Sequence, residues 1–140
     1  MDSIIPKFVK KEIVDGWARE NLYAMLLSSA HVQNAANQQN ISQVSANEII
    51  DRAGVYTPGG FKLTGNVGSY DGNDAFLDFT TNPAIGPGAY LNYRYIAIYN
   101  NTGNPAESPI RCIIDMVLDQ IVTNGTSTIT WNALGVIHLT

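Results

Sequence analysis

The feature that most restricts the fold of this chain is an alternation of side-chain types that recurs in its second half. Residues 90–99 carry apolar or aromatic side chains at every odd position, and residues 110–118 carry them at every even position. Successive side chains of a β-strand point to opposite faces, so this period of two predicts strands. Turn-forming residues separate the strands at Asp71–Asp74, Thr81–Gly88 and Asn124-Gly125.

About five or six strands of this kind, with turns roughly every ten residues, predict a mainly β fold. We interpret the fold as an antiparallel β-sandwich of the jelly-roll or immunoglobulin-like type, with a barrel as the other closed arrangement. Ala75, Leu77 and Phe79 are expected to share one face of a strand. The odd-numbered side chains of residues 91–99 are expected to share one face of the next.

The first half of the chain is less regular. Leu22–Ser28 is predicted to be a strand buried on both faces, or else the end of a helix over Val14–Leu27, because Ala, Leu and Met favour helices. Residues 31–43 are rich in Gln and Asn and are predicted to form an exposed loop. Ser45-Ala46-Asn47-Glu48 has the spacing of a capping box and predicts a helix from Ala46 to about Arg52. We therefore expect one or two short helices in the N-terminal half.

The length and charge of the chain narrow the possible partners. Its 140 residues suit one domain, 14% of them are charged, and the net charge is −4. A weakly charged surface loses little hydration free energy when a neighbour covers it, although compositional drift explains the same numbers equally well. Lys7, Lys10 and Lys11 would neutralise too few phosphates, so we expect no nucleic-acid partner. No apolar stretch is long enough to span a bilayer, so we expect no membrane partner and cytoplasmic synthesis without export.

The N-terminal segment, residues 1–16, is unusually apolar for an exposed arm. Ile4, Ile5, Phe8 and Val9 lie among its lysines. Two interpretations stay open: an arm that docks on another subunit, or the first strand of the domain's own sheet. Residues 17–140 are then expected to form a single β-sandwich domain.

The sequence contains no motif of a nucleotide-binding loop, a metalloprotease helix or a serine-hydrolase elbow. We therefore expect no enzyme activity, no catalytic residue, no cofactor and no bound metal. Asp71, Asn73 and Asp74 could offer oxygen ligands to calcium, but the glycine and glutamate of an EF-hand loop are missing. Cys112, the only cysteine, lies in an apolar run and is expected to be a buried, inert thiol.

A band of tyrosines between residues 90 and 99 has two interpretations. Tyrosine favours strands, and one face of the band must fill the core. Side chains that point outward would anchor protein contacts or, as the alternative, stack on a sugar. We take Tyr90, Tyr93 and Arg94 as candidate interface residues of this band.

Five segments carry a family resemblance. Val44-Ser45-Ala46-Asn47-Glu48-Ile49 and Tyr56-Thr57-Pro58-Gly59-Gly60 resemble a VSANEV…GYTAGG pattern. Residues 94–110 resemble a YAVIY.DTG….SPL segment, and residues 128–140 resemble a TITWNA.GI..LT ending. Together with an early KVALLTS-like strand at Leu22–Ser29, the likeness covers about residues 22–140. In these motifs the chain resembles a family of small proteins encoded among the virion genes of tailed phages.

The resemblance implies a structural protein of the virion, assembled in the host cytoplasm. Its members include capsid decoration or cement proteins and head-fibre bases on the capsid exterior, which would make the major capsid protein or another virion protein the partner. A neck or tail accessory protein and a surface carbohydrate-binding module are the alternatives. By analogy with the three-fold sites of capsid lattices we expect a homo-oligomer, namely a trimer. The chain departs from the pattern at Pro58, at Ile49–Val55 and in its first twenty residues, where a docking partner would be specified.

Overall fold

A computed structural model describes residues 3–131 and 135–139. Its described residues form one α-helix and seven strands: α1 (Lys7–Ala18), β1 (Leu22–Leu27), β2 (Phe61–Lys62), β3 (Asn66–Asp71), β4 (Asp74–Phe79), β5 (Ala84–Asn100), β6 (Ile110–Thr128) and β7 (Ile137–Leu139). The paired strands are antiparallel. The predicted mainly β, antiparallel fold with a short N-terminal helix is therefore confirmed, and its closure into a sandwich stays a prediction.

The contacts within the chain define two compact units. The first comprises Met1–Glu20, Leu63–Asn82 and Ile129–Thr140, and it holds α1 and a sheet with the order β3-β4-β7. The second comprises Asn21–Lys62 and Pro83–Thr128, and it holds a sheet with the order β2-β1-β5-β6. The expected boundary at residue 16 does not coincide with this division, because the N-terminal helix groups with later segments.

In the first unit, α1 packs against β3 and β4. Its sheltered side chains recur every three or four residues, as in an amphipathic helix: Lys10, Lys11, Val14, Trp17 and Ala18. Gly68 of β3 permits the close approach, because a Cβ at this position would overlap the Asp15 carboxylate. The interpretation of residues 1–16 as a first strand is therefore wrong. The helix expected over Val14–Leu27 is also wrong, since α1 ends at Ala18.

The hairpin β3–β4 follows the sequence-based prediction. Asp71 pairs with Asp74, and the tight turn between them contains Gly72 with a φ of 61°. Glycine adopts this left-handed conformation without steric cost. Ala75, Leu77 and Phe79 are buried on one face of β4, which confirms their predicted alternation.

In the second unit, β1 and β5 form the buried centre of the sheet. Five of the six residues of β1 are buried, so the prediction of a strand covered on both faces is confirmed. The odd-numbered side chains of residues 91–99 are all buried. Three of them belong to a core cluster that contains Met25, Leu27, Ile41, Val44, Tyr95, Ala97 and Tyr99. β5 begins at Ala84, so part of the segment predicted as the loop Thr81–Gly88 belongs to a strand.

Asn124-Gly125 does not form the predicted tight turn. Both residues lie inside β6, where Ala89 pairs with Gly125 and Tyr90 pairs with Thr123. Asn124 is the extra residue between these pairs and has a φ of 50°. The left-handed conformation that makes Asn-Gly favourable in hairpins serves a β-bulge equally well, and here the strand continues beyond it.

The helix predicted after Ser45 is also absent. Ser45–Asn47 form a single 3₁₀ turn, and Glu48 is extended and pairs with Leu27 as an isolated bridge. The Glu48 carboxylate accepts hydrogen bonds from the Tyr56 hydroxyl (2.6 Å) and the Gly59 N–H (2.8 Å). The capping box is therefore not formed, because tertiary partners occupy the side chain that would have closed it.

Candidate interaction surfaces

The residues of the SANE and YTPGG motifs stabilise the second unit from within. The buried Tyr56 hydroxyl accepts a hydrogen bond from Leu26 N–H (2.9 Å) while it donates to Glu48. Burial and the nearby Glu48 carboxylate raise the pKa of Tyr56 well above its ordinary value. Gly60 lies directly on β1, where a Cβ would overlap the carbonyl of Ala24. These motif residues hold the loop before β2 on the sheet, so they report on the fold and not on a partner.

Asp51 is a second internal anchor. Its buried carboxylate accepts hydrogen bonds from the backbone N–H groups of Tyr56, Ala53, Val55 and Tyr90, at 2.9 to 3.1 Å. These bonds, that from Tyr56 first, lower the pKa of Asp51. The arrangement ties the loop of residues 51–56 to the middle of β5.

Two side chains with potential reactivity, Cys112 and His31, are at least partly buried in the second unit. Cys112, expected to be buried, is half-buried, and burial raises the pKa of its thiol. His31, in the segment expected to be exposed, is buried: its ring contacts the edge of Tyr95 at 4.8 Å and lies 2.9 Å from the Gln33 side-chain oxygen. Within residues 3–131 and 135–139, no group of three or more His, Cys, Asp or Glu side chains is placed to hold a metal ion.

The segment before α1 and the first turn of α1 present the apolar side chains predicted for docking. Ile4, Ile5 and Phe8 are 89%, 57% and 59% exposed, and we call these three residues the N-terminal patch. Val9 is half-buried. Lys10 holds this end of the helix on the β3–β4 turn, because its Nζ donates to the carbonyl of Asn73 at 3.2 Å. Phe8 is therefore carried by a helix fixed to its own unit, and Ile4 and Ile5 lie in the segment that leads into it.

The candidate interface residues of β5 differ in their surroundings. Tyr93 is 2% exposed and its hydroxyl lies 3.0 Å from Ser127 Oγ, so its prediction as an interface residue is wrong. Tyr90 is half-buried, and the Arg52 guanidinium stacks 3.9 Å from the centre of its ring. Arg94 donates from Nε and Nη2 to the two carboxylate oxygens of Asp115, at 3.0 and 3.2 Å.

A protrusion of β6 lies beside Arg94. Tyr93 pairs with Gln120 and Tyr95 pairs with Asp115, so Arg94 alone stands opposite the four residues Met116–Asp119. We call these four residues the β6 knob. Val117 and Leu118 within it are 68% and 72% exposed. This bulge could not be predicted from the pattern of side chains, because the alternation of residues 110–118 continues into it.

Next to the knob in sequence, β6 contributes to a shallow groove of about 430 Å³. Its walls include Ile50, Arg52, Tyr90, Ile121 and Val122, and we call it the Tyr90 groove. Ile50 is 89% and Ile121 is 68% exposed. The sequence-based interpretation identified Tyr90 here but missed Ile50, Arg52 and Ile121, which come from two segments far apart in the chain.

No helix among the described residues is both long and apolar enough to cross a bilayer. Comparisons of the chain with protein-family models, with curated proteins and with solved structures gave no match.

Proposed function

We propose that this chain is a structural protein of a tailed-phage virion, located on the capsid exterior as a decoration or cement protein or as the base of a head fibre. Its partner would be the major capsid protein or another virion protein. The proposal starts from the sequence resemblance over residues 22–140. The observation that carries it further is the N-terminal patch, in which three large apolar side chains are exposed, two in the segment before α1 and one in its first turn, which its own unit holds through Lys10.

The free energy available from this patch suits a repeated assembly contact. Full burial of an Ile or Phe side chain contributes roughly 1.5–3 kcal/mol, so Ile4, Ile5 and Phe8 together would contribute several kcal/mol at each site. The charged fraction of 14% describes the whole chain, whereas beside the patch Lys7, Lys10 and Lys11 form a basic rim. A lattice protein that binds many equivalent sites needs an apolar anchor of this kind, and a basic rim favours an acidic surface on its partner.

The test is particle incorporation of an Ile4→Asp/Phe8→Asp variant. We expect the variant to be lost from purified particles, because two carboxylates would have to be buried without partners. Val67→Asp is the matched control: Val67 is also apolar and 46% exposed in the first unit, but it lies outside the patch. Circular dichroism should show the same β-rich spectrum for both variants. Normal incorporation of the double variant would refute the proposed role of the patch.

The number of copies in the same purified particles distinguishes the possible locations on the virion. Copy number by quantitative mass spectrometry should be high for a capsid decoration protein and low for a neck or tail component. A carbohydrate-binding module has less support, because Tyr93, Tyr95 and Tyr99 are buried and Tyr90 is covered on one face by Arg52. These side chains offer no continuous platform on which a sugar could stack.

A further inference from the structure

We propose that the β6 knob of one copy docks into the Tyr90 groove of a second copy of this chain. The inference rests on the proposed assembly role and specifies how subunits would contact one another. It concerns only the second unit, so it is independent of the contact made by the N-terminal patch.

The first observation is the conformation of the knob. Val117 has a φ of 72°, in the left-handed region that a β-branched residue rarely adopts. Its side chain and that of Leu118 are nevertheless mostly exposed, so burial within the chain does not offset the unfavourable backbone. Strained residues of this kind concentrate where a conformation serves function.

The second observation is that the knob is fixed at both ends. Arg94 pairs with the Asp115 carboxylate, and Asp115 Oδ1 accepts a hydrogen bond from Val117 N–H at 2.8 Å. At the other end, Gln120 Nε2 donates to the carbonyl of Leu118 at 2.9 Å. The chain therefore presents two apolar side chains in a defined geometry, which lowers the entropy lost when a partner binds them. Arg94, predicted as an interface residue, is thus a positioning residue for the knob.

The third observation is that knob and groove complement each other in both polarity and charge. The knob has an apolar tip, Val117 and Leu118, followed by the exposed carboxylate of Asp119. The groove has apolar walls at Ile50 and Ile121 and the exposed cation of Arg52 on its side. Arg52 makes no ion pair with the described residues: its guanidinium stacks on the Tyr90 ring, and because the residue is exposed it can still meet a carboxylate.

These features select a second copy over an added β-strand as the occupant. One chain supplies both the acidic apolar tip and the basic apolar groove. Strand addition along β6 would require a regular edge, and the bulges at Met116–Asp119 and Asn124 interrupt it. The contact is reciprocal in a dimer and sequential in a closed ring such as a trimer.

The test measures the mass of the full chain by sedimentation across a range of concentrations. We expect an oligomer, and we expect Leu118→Asp or Ile50→Asp to raise the dissociation constant about tenfold or more, because each buries a carboxylate against apolar groups. Val67→Asp, which makes the same exchange at an exposed position of the first unit, should leave the mass unchanged.

A charge exchange identifies the pairing. Asp119→Arg and Arg52→Asp should each weaken the association about threefold to tenfold, and the double variant D119R/R52D should recover it. Circular dichroism and the thermal midpoint of each variant exclude unfolding as the cause. A chain that is monomeric at all concentrations, or an unchanged mass for both Leu118→Asp and Ile50→Asp, would overturn the proposed contact. Either result would leave the incorporation test of the N-terminal patch unaffected, so the two failures are distinguishable.

Discussion

β5 and β6 run side by side and share the same alternation of side chains, yet they differ sharply in burial. The five residues from Tyr95 to Tyr99 are all buried, whereas every residue of β6 is at least partly exposed. β5 lies between β1 and β6 in the described sheet, while β6 lies at its edge. Alternation in the sequence therefore identifies a strand, but the neighbours of that strand decide how much free energy its apolar side chains contribute.

The two strands also differ in regularity. β6 carries extra residues at Met116–Asp119 and at Asn124, and both sites contain a non-glycine residue with positive φ. β5 keeps its register over residues 95–98, where β1 pairs with its other side, and carries extra residues of its own at 86–88, outside that part. A stretch with partners on both sides must keep its register, whereas a stretch with one unpaired side can bulge without disrupting a second neighbour. The comparison predicts that substitutions in β5 affect stability and that substitutions in β6 affect association.

The largest expected effect is that of Ile98→Ala in β5. Ile98 is 0% exposed, so its truncation should leave a cavity and lower the free energy of unfolding by about 2–5 kcal/mol. Leu118→Ala in the β6 knob is the matched control and should change the free energy of unfolding by less than about 0.5 kcal/mol. Urea denaturation of both variants checks the contrast. Equal losses would mean that the knob is also part of a core.

Two tyrosine hydroxyl groups, that of Tyr56 on the β1 side of β5 and that of Tyr93 on the β6 side, give a smaller difference in stability. Tyr56→Phe removes a buried partner of Leu26 N–H and Glu48, so we expect a loss of about 1–3 kcal/mol. Tyr93→Phe removes one hydrogen bond to Ser127 of β6, and its expected loss is about 0.5–1.5 kcal/mol. Both losses are measurable by denaturant titration at neutral pH. A larger loss for Tyr93→Phe would contradict the view that the β1 side dominates.

Lowering the pH should affect the contributions of two carboxylates, Asp51 and Asp115, unequally. The Tyr56 N–H lowers the pKa of Asp51, and Arg94 lowers that of Asp115, from an ordinary value of 3.8. A depressed pKa in the folded state contributes stability that is complete above the unfolded value and is lost as the pH falls through the folded value. Below about pH 4, thermal midpoints should therefore fall steeply for the wild type.

The corresponding variants separate the two contributions. Asp51→Asn should lower the thermal midpoint at pH 7 and flatten its decline in acid, because it removes the charge that four backbone N–H groups stabilise and replaces one acceptor oxygen with an NH2 group that cannot accept. Asp115→Asn should do the same to a smaller extent, because Asp115 is exposed and water screens its ion pair. A larger fall in the thermal midpoint for Asp115→Asn would contradict the expectation that the buried Asp51 carboxylate stabilises the fold more than the exposed Asp115 carboxylate of β6.

The smallest expected effect is that of Val117→Gly. Glycine adopts the left-handed conformation without strain, so the variant should be more stable by up to about 1 kcal/mol, despite the greater freedom of the unfolded chain. Asn124→Gly should change stability less, because asparagine tolerates positive φ. Thermal denaturation checks both variants. Destabilisation by Val117→Gly would indicate that the valine side chain has an intrachain role.

The sequence predicted the parts of this fold that depend on local pattern. The faces of β4 and of residues 91–99 follow from alternation, and the turn at Asp71–Asp74 follows from residues that favour one backbone conformation. Asn124-Gly125 has the same local preference, but whether it ends a strand or bulges within it depends on pairing with β5. Local preference alone could not separate these outcomes.

The candidate interaction surfaces were harder to predict from the sequence than the fold. Ile4, Ile5 and Phe8 were identified because unusual apolar content in a short segment is visible in the sequence. Tyr93 was misassigned, since its burial depends on which face of β5 is covered. The Tyr90 groove combines residues near 50 with residues near 121, and only the tertiary structure brings such segments together. Glu48 likewise fits a capping box locally and bonds instead to Tyr56.

The discontinuity of the first unit has a consequence for biosynthesis. β7 pairs with β4 only after the whole of β5 and β6 has been translated. The ribosome therefore releases the segments of the second unit while the sheet of the first still lacks a strand. Co-translational folding should then begin in the second unit, and the first should remain sensitive to proteases until β7 has been synthesised.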